Sequence, residues 1–336
     1  DAVFTGTNSG GLFLNVGQTA AGQLNLGAAT FTAVTVAIGG GLSADTIIGA
    51  SAYAVTGANS GTADGHTFTS IENLTGTSGV DTFNLTSGAI GTLSGLADDD
   101  VFNIDGATFV AIEGGAGSGD VANYANAVSL DLASNPFTDI ETVNANAVGG
   151  DTLSGATAYL FTSATGVEAD GDTATTYDGF EALAGTAGDD AFDLAGFTYA
   201  GALNGLGHGA GGDTIEGSPN YVVTGAGSGT ASAGAQTSFS NIENLSGTAG
   251  ADTFTLTSGS IEDLSGLGDD DTFDVGTGTF ASIDGGSGTG DAVSFANAVA
   301  LNIAATPISA VESVNANAVG GDTLGGASAS LVQTGR

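Results

Sequence analysis

The chain has 336 residues, of which 37 are Asp or Glu and only one, Arg336, is basic; the formal charge is −36, and Cys, Met and Trp are absent. Such a polyanion has no basic patch with which to displace counterions from nucleic acid or to sit on an anionic membrane, and no run of about 18 apolar residues offers a transmembrane helix. Hydrophobic residues make up 41% of the chain and mean hydropathy is +0.24, so a packed core can form and disorder is disfavoured.

No charged segment followed by an apolar one opens the sequence, so a secretion signal is expected to have been removed or to lie elsewhere. Residues 1–44 read as divergent starting coils. From Asp45 the chain is modular. DTIIGASAYAVTG begins at Asp45, DTLSGATAYLFTS at Asp151, DTIEGSPNYVVTG at Asp213 and DTLGGASASLVQTG at Asp322. The first three modules close with IENLTGTSG, FEALAGTAG and IENLSGTAG. A longer repeat lies over these: residues 71–105 return at 242–276, displaced by 171, and VNANAVGGDTL stands at both 143–153 and 314–324. Residues 45–321 are therefore modular repeats, and 322–336 read as a truncated module, as expected of a piece of a longer array.

An Asp after a Gly-rich or acidic turn and before a strand-like run gives a ruler. The marks are Asp45, Asp81, Asp100, Asp120, Asp151, Asp190, Asp213, Asp252, Asp271, Asp291 and Asp322, spaced 36, 19, 20, 31, 39, 23, 39, 19, 20 and 31 residues apart. The unit is about 20 residues, with 36 and 39 read as two units, and a period this short matches one coil of a β-solenoid rather than a helix pair. Alternating runs such as TFNLT and VFNID follow the marks, and turns such as GGAGSG separate them. The expected fold is all-β: a parallel β-helix or β-roll, one continuous solenoid over 1–336. In VNANAVGGDTL, Val143, Ala145 and Ala147 would then face one side. Asn144 and Asn146 would face the other as rungs of an Asn ladder, and Gly149-Gly150 would make the corner.

The turns GTSGVDTF, GTAGDDAF and GTAGADTF resemble the calcium-binding nonapeptide G-G-x-G-x-D-x-U-x of RTX proteins. Gly76, Gly79, Asp81 and Phe83 match, as do Gly185, Gly188, Asp190 and Phe192, and Gly247, Gly250, Asp252 and Phe254; the second Gly is replaced by Thr. The whole module pattern is similar to repeat regions of giant bacterial surface proteins: RTX adhesins, filamentous-haemagglutinin-like exoproteins and surface-layer proteins. That resemblance implies secretion to the cell surface or beyond, and Ca²⁺ held at Asp81, Asp190 and Asp252. The acidic clusters ADDD (97–100) and GDDD (268–271) offer a second calcium reading at Asp100 and Asp271, since adjacent carboxylates repel unless a cation or water screens them. The bland alternative is a solvated acidic corner.

Catalysis fares poorly against these residues. A uronate lyase needs Lys or Arg, which only Arg336 supplies. Asp98–Asp100 or Asp269–Asp271 could form a glycosidase pair, but Trp is absent and Tyr numbers six. His66 and His208 lie in unlike Gly-rich turns with no nucleophile indicated. Thr82, Thr86, Thr253, Thr255 and Thr257 suggest an ice- or mineral-ordering face, without a Thr-x-Thr in every coil. The expectation is a non-enzymatic extracellular scaffold, a filament subunit, stalk or surface-layer block whose open strand edges stack copies end to end. A calcium-binding adhesin stalk, with surface glycans as targets, is the first alternative, and a carbohydrate-active β-helix enzyme the second.

Overall fold

A computed structural model describes residues 12–16, 23–25, 34–39, 45–134, 136–146, 149–231, 237–298, 300–302, 307–316 and 320–325. The expected starting coils are thus described only as three strands, the truncated module only to Gly325, and Ala147 and Arg336 lie outside the described residues. Almost everything described is strand and turn; a single 3₁₀ turn, Leu132–Ser134, is the exception. Among the described residues no helix is long and apolar enough to cross a membrane.

The strands run in long parallel stacks, as the 20-residue ruler requires. By compactness the chain divides into two units, one of residues 1–128, 134–151 and 174–179, the other of 129–133, 152–173 and 180–336. The first unit holds two long stacks. One passes through Gln23–Asn25, Thr46–Ile48, Asn73–Thr75, Thr92–Ala97, Ala111–Ala116 and Phe137–Thr138. The other passes through Ala52–Gly57, Thr82–Leu85, Val101–Ile104, Val121–Tyr124 and Thr142–Asn144, and then pairs with Thr176 to Asp178. The second unit repeats the scheme with stacks through Ala158–Phe161, Ala191–Asp193, Thr214–Glu216, Asn244–Ser246, Asp263–Ser265, Ser282–Asp284 and Ile308–Ser309, and through Asn220–Gly225, Thr253–Leu256, Thr272–Val275, Ala292–Phe295 and Ser313–Asn315. A third stack there begins at Ser129–Asp131 and runs through Thr152–Ser154, Ala182–Ala184 and Ala202–Asn204 to Thr237–Ser240.

In-register pairing places like beside like. Tyr53, Phe83 and Phe102 stack with ring centroids 4.9 and 4.7 Å apart, and Tyr221, Phe254 and Phe273 with 5.2 and 4.8 Å. Ile47, Leu74, Leu93 and Ile112 form the aliphatic counterpart, each fully buried. Each strand spends its period-2 alternation on one inward column and one outward column, so the core is a set of side-chain ladders rather than a single cluster.

Two expectations need correction. The spacings of 36 and 39 are not two units each. In the modules starting at Asp45, Asp151 and Asp213 the chain makes an antiparallel excursion: Ala52–Gly57 with Ser60–Ala63, Ala158–Phe161 with Gly166–Ala169, and Asn220–Gly225 with Ser228–Ala231. These hairpins add residues to one step. Gly61 and Gly229 permit the close approach, because a Cβ on either would strike the carbonyl oxygen of Ala54 or Val222. The predicted alternation of VNANAVGG also stops early, because the strand ends at Asn144. Asn144 does form a rung: its Nδ2 donates to Asn123 Oδ1 at 2.8 Å, Asn123 to Asn103 at 3.2 Å and Asn103 to Asn84 at 2.9 Å. Asn146 turns inward instead, where it is buried and donates to Asp151 Oδ1 at 3.0 Å, and Ala145 is only half-buried.

Candidate functional site: a buried ladder of acids

Ten of the eleven ruler aspartates, all except Asp322, are buried, at 3% exposure or less. Buried carboxylates need partners, and here the backbone of the preceding step supplies them. The Asp81 amide donates to Asp100 Oδ1 at 2.7 Å, the Asp100 amide to Asp120 Oδ1 at 2.6 Å, and the Asp120 amide to Glu141 Oε2 at 2.7 Å. A second run goes from Asp190 to Asp213 at 2.8 Å and on to Glu243 at 2.9 Å. The third repeats the first: Asp252 to Asp271 and Asp271 to Asp291, each at 2.7 Å, then Asp291 to Glu312 at 2.9 Å. Asp45 joins Glu72 in the same way, at 3.0 Å. Each run therefore ends on a Glu, half-buried at Glu72, Glu141 and Glu243 and exposed at Glu312.

The heads of the three runs share a different chemistry. Asp81 Oδ2 accepts the Thr77 amide at 2.6 Å and its Oδ1 the Thr77 hydroxyl at 3.0 Å. Thr186 does the same for Asp190, at 2.7 and 2.9 Å, and Thr248 for Asp252, at 2.6 and 2.9 Å. The Thr that replaces the second Gly of the nonapeptide thus satisfies the carboxylate which that motif would turn toward a metal. Thr248→Val keeps the amide and removes the hydroxyl. It should cost about 1.5–3 kcal/mol, the usual range for a hydrogen bond to a charged group, read as a lowered urea midpoint, while Thr248→Ser keeps most of the stability.

Asp100 and Asp271 stand in the second rungs. Their Oδ2 atoms are buried and accept no hydrogen bond, as are those of Asp120, Asp213 and Asp291. Burial, against the stacked charges of Asp81, Asp120 and Asp98, pushes Asp100 up to about 7. Burial likewise pushes Asp271 up to about 6 beside Asp252, Asp291 and Asp269, and Asp213 up to about 6 beside Asp190 and Glu243. Asp81, Asp120 and Asp252 are raised as well, again chiefly by burial.

The acidic clusters do not converge. Asp98 and Asp99 are exposed and only Asp100 is buried; Asp98 Oδ1 accepts the Asp99 amide, and Asp99 Oδ1 accepts the Ser118 amide at 3.1 Å. Asp269 and Asp270 repeat this arrangement. Among the described residues no three acidic or imidazole side chains gather around one point. His208 is exposed, with Nε2 3.6 Å from Glu243 Oε1; its hydrogen bond to the Gly209 carbonyl and that carboxylate raise its pKa.

All five predicted site residues lie in the ladder, divided between saturated heads and open second rungs. Asp120, Asp213 and Asp291 were on the ruler but not singled out, and the terminal glutamates were missed. A signal for the glutamates was present: Glu72, Glu141, Glu243 and Glu312 each occupy the second place of IENL, IETV, IENL or VESV, one residue before a strand or its first turn. No family model, curated protein or solved structure matches the chain.

Proposed function

We propose that each unit is a β-solenoid and that the protein is a non-catalytic, extracellular structural element: a filament subunit, stalk or surface-layer block that associates end to end with other copies. The observation that carries this reading is the continuity of the ladders. Aromatic, aliphatic, Asn and Asp columns each pass from one strand to the next, at steps of 19–23 residues that lengthen to 27–33 where a hairpin intervenes. In such an array stability is a sum of nearest-neighbour contacts, and an uncovered last strand presents the same donors and acceptors as every interior one.

The acids support a scaffold over an enzyme. A carboxylate that is fully buried and already accepts a backbone amide is poorly placed to handle a substrate's proton, and its exposed neighbours Asp98 and Asp99 are engaged with turn amides. Light scattering across a concentration series tests the reading: mean mass is expected to rise with concentration, and a strictly monomeric particle at every concentration would remove the end-to-end association.

A further inference from the structure

The modules that open at Asp45, Asp151 and Asp213 share a covering device. In each, the strand that follows the hairpin lies in parallel on the strand just before the module's opening Asp. His66–Thr69 lies on Val34–Gly39, Thr176 to Asp178 on Thr142–Asn144, and Thr237–Ser240 on Ala202–Asn204. The covering strands have one pattern, an aromatic residue between two small polar ones: Thr67-Phe68-Thr69, Thr176-Tyr177-Asp178 and Ser238-Phe239-Ser240. In register, Phe68 falls opposite Ala37, Tyr177 opposite Val143 and Phe239 opposite Leu203. All three rings are buried, at 4% exposure or less. The backbone clasp is repeated as well. The Thr176 amide donates to the Glu141 carbonyl at 2.9 Å, and the Ala145 amide to the Asp178 carbonyl at 2.8 Å. The Ser238 amide donates to the Gly201 carbonyl at 3.0 Å, and the Gly205 amide to the Ser240 carbonyl at 3.1 Å.

The fourth module opens at Asp322, and the strand before it is Ser313–Asn315. Its sequence, SVN, stands where the covered strands have TVN and ALN. On one side it pairs with Ala292–Phe295. Among the described residues no strand lies on the other side. The difference shows in the middle residue: Val143 and Leu203 are 0% and 1% exposed, whereas Val314 is 42% exposed. Asn315 and Ala316 are exposed too. Val314 therefore ends, uncovered, a column that passes through Phe254, Phe273 and Val293, all fully buried. A sheet edge with an apolar residue at its centre is a template for an added strand.

We propose that Ser313–Asn315 is an acceptor edge for a strand of a partner polypeptide, an extended segment with Phe or Tyr between two Ser, Thr or Asp residues. The strand adds in parallel and seats its ring on Val314. Its main chain meets the Glu312 carbonyl and the Ala316 amide, the counterparts of the groups clasped at Glu141 and Ala145. Main-chain bonds supply affinity in this mode of recognition, and the side-chain seat supplies specificity. A second copy is a poorer donor. Its three strands of this pattern are already seated, and giving one up would uncover the strand beneath. The assignment rests on the solenoid part of the proposed function and not on end-to-end association.

A labelled peptide of residues 171–180, GDTATTYDGF, is the probe, titrated into the full chain and followed by fluorescence anisotropy. Saturable binding is expected. It should weaken roughly tenfold or more when the peptide carries Tyr177→Ser or the chain carries Val314→Lys. Leu160→Lys is the control: Leu160 is 41% exposed on a strand paired on both sides, and this variant should bind like the parent. A benzophenone at the Tyr177 position of the peptide should cross-link to residues 312–316. Absence of saturable binding, equal weakening by Val314→Lys and Leu160→Lys, or cross-links confined to other strands overturns the assignment. A mean mass that rises with concentration and falls on adding peptide gives the edge to a second copy, and overturns the partner. A chain monomeric at every concentration removes end-to-end association, while saturable, Val314-dependent peptide binding still upholds the acceptor edge.

Discussion

Phe254→Ala is expected to destabilise the protein by about 3–5 kcal/mol, the usual cost of emptying a buried phenyl site, and Phe83→Ala by a similar amount. Both rings are fully buried, and each is the middle member of a three-ring column, so truncation removes two stacked contacts together with the burial of the ring. A column cannot collapse to refill the gap without breaking the register of the strands on either side. Val110, 73% exposed, is the matched control: its replacement by Ala should stay within about 0.5 kcal/mol. Urea denaturation of the three variants measures the contrast, and equal midpoints would mean that the rings do not carry the packing attributed to them.

In calcium-free buffer, acidification from pH 8 to pH 5 should stabilise the fold. Asp100 is raised to about 7, and Asp213 and Asp271 to about 6, from an ordinary value of 3.8. Between the ordinary and the raised values the folded chain binds more protons than the unfolded one, so stability falls as pH rises. The penalty is fully developed above about 7, recedes as pH drops through 7 and 6, and yields no further gain below 3.8. Differential scanning calorimetry should show Tm higher at pH 5 than at pH 8 by roughly 5 °C, and Asp100→Asn with Asp271→Asn should flatten most of that slope. A Tm that instead rises with pH would show that the open oxygens are charged and satisfied.

The register of this fold was largely legible from letters alone, because the demand that sets it is repeated. An Asp that closes each turn and a hydrophobic residue two places later mark every rung, and the marked residues from Asp45 to Asp291 are the ones the structure buries. The hairpins were not legible as such. AYAVTG and NYVVTG alternate like any other strand, and only the antiparallel partners Ser60–Ala63 and Ser228–Ala231 show that the chain doubles back. Asn146 was misplaced because alternation holds only while a strand lasts, and this one ends two residues sooner. The division of the aspartates into closed and open rungs was beyond reach for another reason. It depends on which amide and hydroxyl meet which oxygen, as at Thr77 and Asp81, and the motif letters carry no such information.

The interleaving of the two units in the sequence bears on how the molecule is made and taken apart. Residues 129–133 belong with the later unit although 134–151 return to the earlier one, and 174–179 return to it again. No single proteolytic cut can release either unit whole. During synthesis the earlier unit cannot complete itself until at least residue 179 has emerged, by which time Ser129–Asp131 and Thr152–Ser154, which pair in the later unit, have emerged as well. Maturation of the two is therefore entangled in time, and a stalled or nicked chain would leave both halves unfinished rather than one intact.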